Sequence, residues 1–179
     1  MNVREFFELS AGKWFSQKTS QHLTLKQSEH GKSDLVIDIL PTDNPQVLQL
    51  CQQVGADPSS IWGGVKYTWK GTISWDTQPQ STTPQGESIA IAIPDAPAAT
   101  TGKFYHHTSG NTRPPQVAQY TLGDDNALTF VTQDGNIRSD ERVWFESDNV
   151  RLRTTIVTQA SGDSLASFYS EIRMGGGKG

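Results

Sequence analysis

Asp140-Glu141-Arg142-Val143-Trp144-Phe145-Glu146-Ser147-Asp148-Asn149-Val150-Arg151-Leu152-Arg153 is the stretch whose pattern decides the fold. Apolar and charged residues alternate on both sides of Ser147-Asp148-Asn149, as in two strands joined by a tight polar turn. The charges set this hairpin apart. Glu141, Arg151 and Arg153 stand where a sandwich strand carries small polar residues. Loop length decides what they face. A two-residue loop, Asp148-Asn149, turns Glu141 and Arg151 to opposite faces. A three-residue loop from Ser147, with Asn149 left-handed, puts Glu141, Val143, Phe145, Arg151 and Arg153 on one face. The residues suit either loop, and an exposed charged sheet face is the plain alternative to a charged interior.

Strand patterns continue outward in both directions. Gly63 to Trp75 is the clearest, with Val65, Tyr67, Trp69, Ile73 and Trp75 on one face and Lys66, Thr68, Lys70, Thr72 and Ser74 on the other. Further strands are predicted over 12–26, 33–40, 87–93, 102–108, 116–122, 127–133, 136–146, 149–159 and 163–173, with a turn at Glu29-His30-Gly31-Lys32 and a loop over 76–85. Two segments have helical period. Val3 to Ser10 follows Asn2 as N-cap, and Asn44 to Val54 carries Pro45 in its first turn and Gly55 at its end. The fold class is therefore all-β with minor α: ten antiparallel strands in up-and-down order, a short N-terminal helix and a helix after the second strand. Closing the sheet into a barrel removes its edges and leaves room for one ligand. Residues 1–174 read as a single domain and 175–179 as a flexible glycine-rich tail.

Composition agrees with a polar-faced or hollow barrel. Of 179 residues only 34% are hydrophobic, and mean hydropathy is −0.53. The net charge of −4 and the scattered basic residues argue against a nucleic-acid partner. Cys51 is the single cysteine, so no internal disulfide can form, and a reducing cytoplasmic setting is expected. No apolar run reaches the roughly 18 residues of a membrane span. His106-His107 face opposite ways on a strand and make a poor metal pair, and no Cys/His cluster has zinc-like spacing.

Several residues read as either core or ligand contacts. Tyr67, Trp69 and Trp75 pack a core or stack on a flat conjugated ligand. Lys18 and His22 share the face of Trp14; if that face is interior, they need anionic partners. Arg151 and Arg153 bind carboxylates through a bidentate fork. Tyr169 and Glu171 on the last strand reach the same side, Glu171 as a rim charge.

The blocks Phe6-Phe7-Glu8-Leu9-Ser10-Ala11-Gly12-Lys13-Trp14-Phe15-Ser16-Gln17-Lys18-Thr19-Ser20, Trp69-Lys70-Gly71-Thr72, Glu141-Arg142-Val143-Trp144-Phe145 and Asn149-Val150-Arg151-Leu152-Arg153 together resemble the S-type phycobiliprotein lyases, the CpcS/CpeS group. The resemblance runs from about Val3 to Met174. It implies a ten-stranded lipocalin-like barrel acting as a bilin lyase. Such an enzyme binds an open-chain tetrapyrrole such as phycocyanobilin and delivers it to a cysteine of an apo-phycobiliprotein subunit. The phycobilin is then a transferred substrate, with no permanent cofactor and no metal, and a homodimer or a related lyase subunit is open. By this resemblance Glu141 and Arg151 are the catalytic pair, which favours the three-residue turn. The resemblance matches Trp69 and Trp75 to the family's paired tryptophans, and with the residues read above the expected ligand contacts are Lys18, His22, Tyr67, Trp69, Trp75, Arg153, Tyr169 and Glu171. Lys18 stands where many members carry arginine, which implies a single ammonium contact in place of a forked one.

Overall fold

Every strand of the ring has an antiparallel neighbour on each side, so the ring has no free edge. The computed structural model describes residues 1–75, 78–82 and 85–175, and only the backbone of 72–75 and 78–82. Helix α1 (Val3–Ser10) leads into strands β1 (Gly12–His22) and β2 (Gln27–Leu40), then helix α2 (Pro45–Val54) and β3 (Gly64–Trp75). The remaining strands are β4 (Gln78–Thr82), β5 (Gln85–Pro94), β6 (Thr101–Thr108), β7 (Gln116–Leu122), β8 (Leu128–Asp134), β9 (Ile137–Ser147), β10 (Val150–Gln159) and β11 (Ser164–Met174). Consecutive pairings, with β1 on β11 and β2 on β3, close a ten-stranded barrel; β4 pairs only with the end of β3. The predicted loop over 76–85 therefore holds a short strand, while 76–77, 83–84 and the tail 176–179 lie outside the described residues.

The hairpin that opened the question of register combines features of both loops. Ser147 pairs with Val150 across a two-residue turn, then the register shifts and Phe145 pairs with Arg151. Glu146 is the extra residue of a β-bulge. Beyond the bulge the pairing matches the three-residue alternative, so Glu141, Arg151 and Arg153 share the inner face. Asn149 is not left-handed; among the described non-glycine residues only Lys26, Ala98 and Asn126 are.

A second turn lies elsewhere than expected. Glu29 to Lys32 are strand, paired with Gln17 to Ser20. The reversal occurs over 23–26, where Lys26 adopts φ 51°. Gly31 sits opposite Lys18 inside the ladder and is not a turn residue. The shift matters because it turns Glu29 inward and buries it.

Alternating strand directions place the connections at two ends. The end with α1 is plugged. Asn2 and Glu5 form a reciprocal capping box, and the helix buries Val3, Phe6 and Phe7. Phe7 stacks on Phe104 at 5.6 Å and Trp62 at 5.9 Å, while Phe6 meets the edge of Phe145 at 5.2 Å. Arg173 fastens the plug. Its guanidinium donates to the Leu9 and Ala11 carbonyls, both at 2.6 Å, and to Asp148 O at 2.9 Å. A cation at the C-terminal end of a helix also complements its dipole. The turns at 23–26, 109–115, 135–136 and 160–163 surround the opposite end.

Helix α2 packs outside the barrel, laying Val47, Leu50 and Cys51 on Ile89 and Ile91 of β5. Gly64 permits this approach, since a Cβ there would stand 2.5 Å from Val47 Cγ2. Burial raises the Cys51 thiol pKa, as suits packing better than nucleophilic work.

Candidate functional site

The barrel is hollow. A cavity of about 890 Å³ runs from the Phe6 and Phe7 floor to Arg113, Gln116, Asp134 and Ile137 at the opposite end, where all four are exposed. Its volume lies within the ~300–1,000 Å³ range of ligand pockets. Two walls differ in chemistry. Tyr67 and Trp69 of β3 with Phe104 and Phe130 form an aromatic side; Lys18, Glu141, Arg151, Arg153 and Tyr169 form a charged one.

The charged wall follows from register. β10 lies between β9 and β11, pairing Thr155 with Glu141, Arg153 with Tyr169 and Arg151 with Glu171. Arg151 Nε donates to Glu171 Oε2 at 2.6 Å, and Ser16 Oγ donates to Glu171 Oε1 at 3.3 Å. Arg153 is held more loosely, at 3.5 Å from Glu171 and 3.7 Å from Glu141. Its guanidinium carbon lies 3.8 Å from the Tyr169 ring centroid, a cation–π stack. Thr155 Oγ1 donates to Glu141 at 3.2 Å, and Lys18 Nζ donates to Glu29 at 3.1 Å. Three cations thus face three carboxylates inside the barrel. The buried Arg153 Nε has no hydrogen-bond partner among the described residues.

Proton affinities follow from burial and neighbours. Burial pushes the Glu171 carboxyl up, but the Arg151 and Arg153 guanidiniums outweigh it and hold its pKa below the usual range. Burial works against the Arg153 charge, and Glu141 and Glu171 more than compensate. Burial raises the Tyr67 phenol. Burial lowers His106, although Glu141 pulls it upward.

Of the residues singled out by sequence, Lys18, Tyr67, Trp69, Glu141, Arg151, Arg153 and Tyr169 line this one cavity. Glu171 stands behind Arg151, fully buried, and the expected rim position is overturned because strand parity fixes a face but not a depth. His22 shares the inner face of β1 but lies beyond the Ser20–Ser167 hydrogen bond, in a separate niche of about 250 Å³. The Trp75 side chain lies outside the described residues. Sequence reading misplaces one inward-facing carboxylate and overlooks one imidazole of the cavity wall. Glu29, in the expected turn, instead shares the inner parity of Leu35 and Ile37 and pairs with Lys18, and His106, a poor metal ligand, lines the cavity. Among the described residues no group of three or more His, Cys, Asp and Glu could hold a metal ion, and no helix is long and apolar enough to cross a membrane.

An up-and-down barrel with one end plugged and an aromatic, ion-paired lumen has the shape and volume to enclose a single ligand. The sequence profile of the CpeS-like protein family matches residues 2–174. The chain is 42% identical over 175 residues to Chromophore lyase CpcS/CpeS of Thermosynechococcus vestitus, covering 98% of this chain and 94% of that one. It is 31% identical to Phycocyanobilin lyase subunit CpcS of Picosynechococcus sp., over 97% of this chain and 86% of that one. The solved S-type phycobiliprotein lyase CpeS of Guillardia theta superposes with a TM-score of 0.84 at 25% identity, over 97% and 93% of the two chains. The chain belongs to the CpeS-like family.

Proposed function

We propose that this CpeS-like lyase binds an open-chain tetrapyrrole in the barrel and presents it to a cysteine of an apo-phycobiliprotein subunit, with phycocyanobilin the first ligand to test. The observation that carries this reading is the loosely paired Arg153, stacked on Tyr169 in a cavity of about 890 Å³ with an unused Nε–H. A ligand carboxylate entering the lumen gives that donor a charge-assisted partner, worth about 1.5–3 kcal/mol. Arg153 can re-pair without breaking a short bond, whereas Arg151 stays fixed to Glu171 and offers the cavity a preset positive wall. Lys18, held by Glu29, serves a second carboxylate as a point charge. Glu141 accepts hydrogen bonds from pyrrole N–H groups and favours a protonated, electrophilic pigment. Tyr67 and Trp69 wall the conjugated plane.

The chemistry needs no nucleophile from this chain. The acceptor's thiol adds across the ethylidene double bond of the pigment: sulfur bonds to the exocyclic carbon, the proton goes to the ring carbon, and no group leaves. Holding the pigment extended with that bond toward the acceptor is the catalytic contribution. The test mixes the purified protein with phycocyanobilin and then with an apo-phycobiliprotein subunit. A red-shifted, sharpened absorption band should form, followed by zinc-fluorescent acceptor on a denaturing gel. A band without faster covalent transfer leaves a passive pigment carrier; no band removes the ligand.

A further inference from the structure

At the end of the barrel away from α1, the β1–β2 turn (23–26) and the β10–β11 turn (160–163) lie side by side. The Leu23 amide donates to the Ser164 carbonyl at 3.0 Å and fixes one turn against the other. Between them is the niche of about 250 Å³, lined chiefly by carbon, with Leu25, Val157 and Leu165 among its walls. Val157 also lines the large cavity, so the niche adjoins its upper wall. Leu23 and Leu25 are 57% and 71% exposed. Tight turns favour polar residues, and two leucines held out on a fastened turn satisfy no need of the fold. On the outer faces of β10 and β11, Ile156 and Phe168 are also exposed.

Direction decides what this surface meets. The opposite end is closed by α1, the Phe6–Phe7 floor and the three Arg173 hydrogen bonds. A protein that receives cargo from the lumen must therefore sit over the end that carries Leu23 and Leu25. We propose that the niche and its two exposed leucines are the docking site for the acceptor subunit, taking an apolar side chain of that subunit. The docked residue sets the acceptor's cysteine over the opening. This rests on the lyase reading above. The niche supplies grip and position, while the charged wall supplies ligand affinity, so the two functions separate by mutation.

Leu25→Asp and Leu23→Asp alter only exposed turn positions. The assay compares each variant with the wild type in its phycocyanobilin absorption band, and in the rate of covalent transfer at increasing apo-subunit concentration. The expected result is an unchanged band, with the KM for apo-subunit raised about tenfold, the equivalent of about 1.4 kcal/mol, and kcat little altered. Unaltered transfer kinetics in both variants would overturn the docking site. So would a lost pigment band, which would assign the niche to the ligand, or a changed elution volume without substrate, which would assign it to a contact between copies of this chain. Absence of a band in the wild type strikes the lyase reading instead and is seen before any variant is made.

Discussion

Glu171→Gln tests the interior most directly. The substitution preserves side-chain volume and removes one charge at a site with no exposure, where the carboxylate receives Arg151 Nε at 2.6 Å and Ser16 Oγ at 3.3 Å. Arg151 is itself 5% exposed, so its cation would be left in the barrel with no matching anion at hydrogen-bond distance. Breaking a buried pair from one side costs about 3–5 kcal/mol, a large share of the roughly 5–15 kcal/mol that holds a domain folded. At about 2–4 °C per kcal/mol for a chain of this size, Tm should fall by roughly 6–20 °C. Urea unfolding followed by tryptophan fluorescence gives the same quantity as a lower midpoint at constant slope. The sign of the pH dependence follows from the lowered Glu171 pKa. Its contribution is complete above the unfolded-state value of about 4.3 and is lost as pH falls through the folded-state value. The variant should therefore lose less stability on acidification than the wild type. An Arg151→Met, Glu171→Leu double variant should lose less than the two single changes combined. A Glu171→Gln loss below about 1 kcal/mol would refute the buried-pair account, since it would mean that water already solvates the Arg151 cation.

Arg173→Ala removes two hydrogen bonds to the end of α1 and one to the β9–β10 turn; a loss of about 1–3 kcal/mol and faster amide exchange within residues 3–10 are expected, and unchanged exchange would show that the aromatic plug holds the helix unaided. Glu141→Gln should weaken the protonated-pigment absorption more than it weakens pigment binding, as measured by spectral titration; an unaltered band shape removes Glu141 from the chemistry. The lowered His106 pKa means that the unfolded chain binds this proton first, so stability should decline as pH drops from about 6.5 toward the folded-state value. His106→Phe should flatten that decline in urea titrations run across the interval.

The local elements were legible because each carries its own chemistry. Asn2, and Asn44-Pro45 with Gly55, mark the two helices through capping groups that satisfy exposed backbone; the return bond from Glu5 to Asn2 is seen only in the structure. Period-two alternation marked the strands and grouped Lys18 with Trp14, Tyr67 with Trp69 and Arg151 with Arg153, but a pleat does not say which face is interior, and the side taken by Glu141 depended on a hairpin register that only the family resemblance favoured. Depth was not legible. Lys18 and His22 share a face, yet one lies in the cavity and the other in the niche, because position along the barrel axis depends on stagger between distant strands. Glu171 went astray for the same reason. The first hairpin misled for a different one: Leu23 and Leu25 look like strand residues and Gly31 looks like a turn, but ladder pairing with β1 overrode both local signals.

The bulge at Glu146 uncouples hairpin length from the identity of the interior. Ser147 already pairs with Val150 and Phe145 with Arg151, so excising Glu146 would leave a regular hairpin with both sides facing as before. Evolution can therefore shorten this chain by one codon there without expelling the acid from the lumen. At a hairpin with no spare residue, the same deletion would turn one strand inside out.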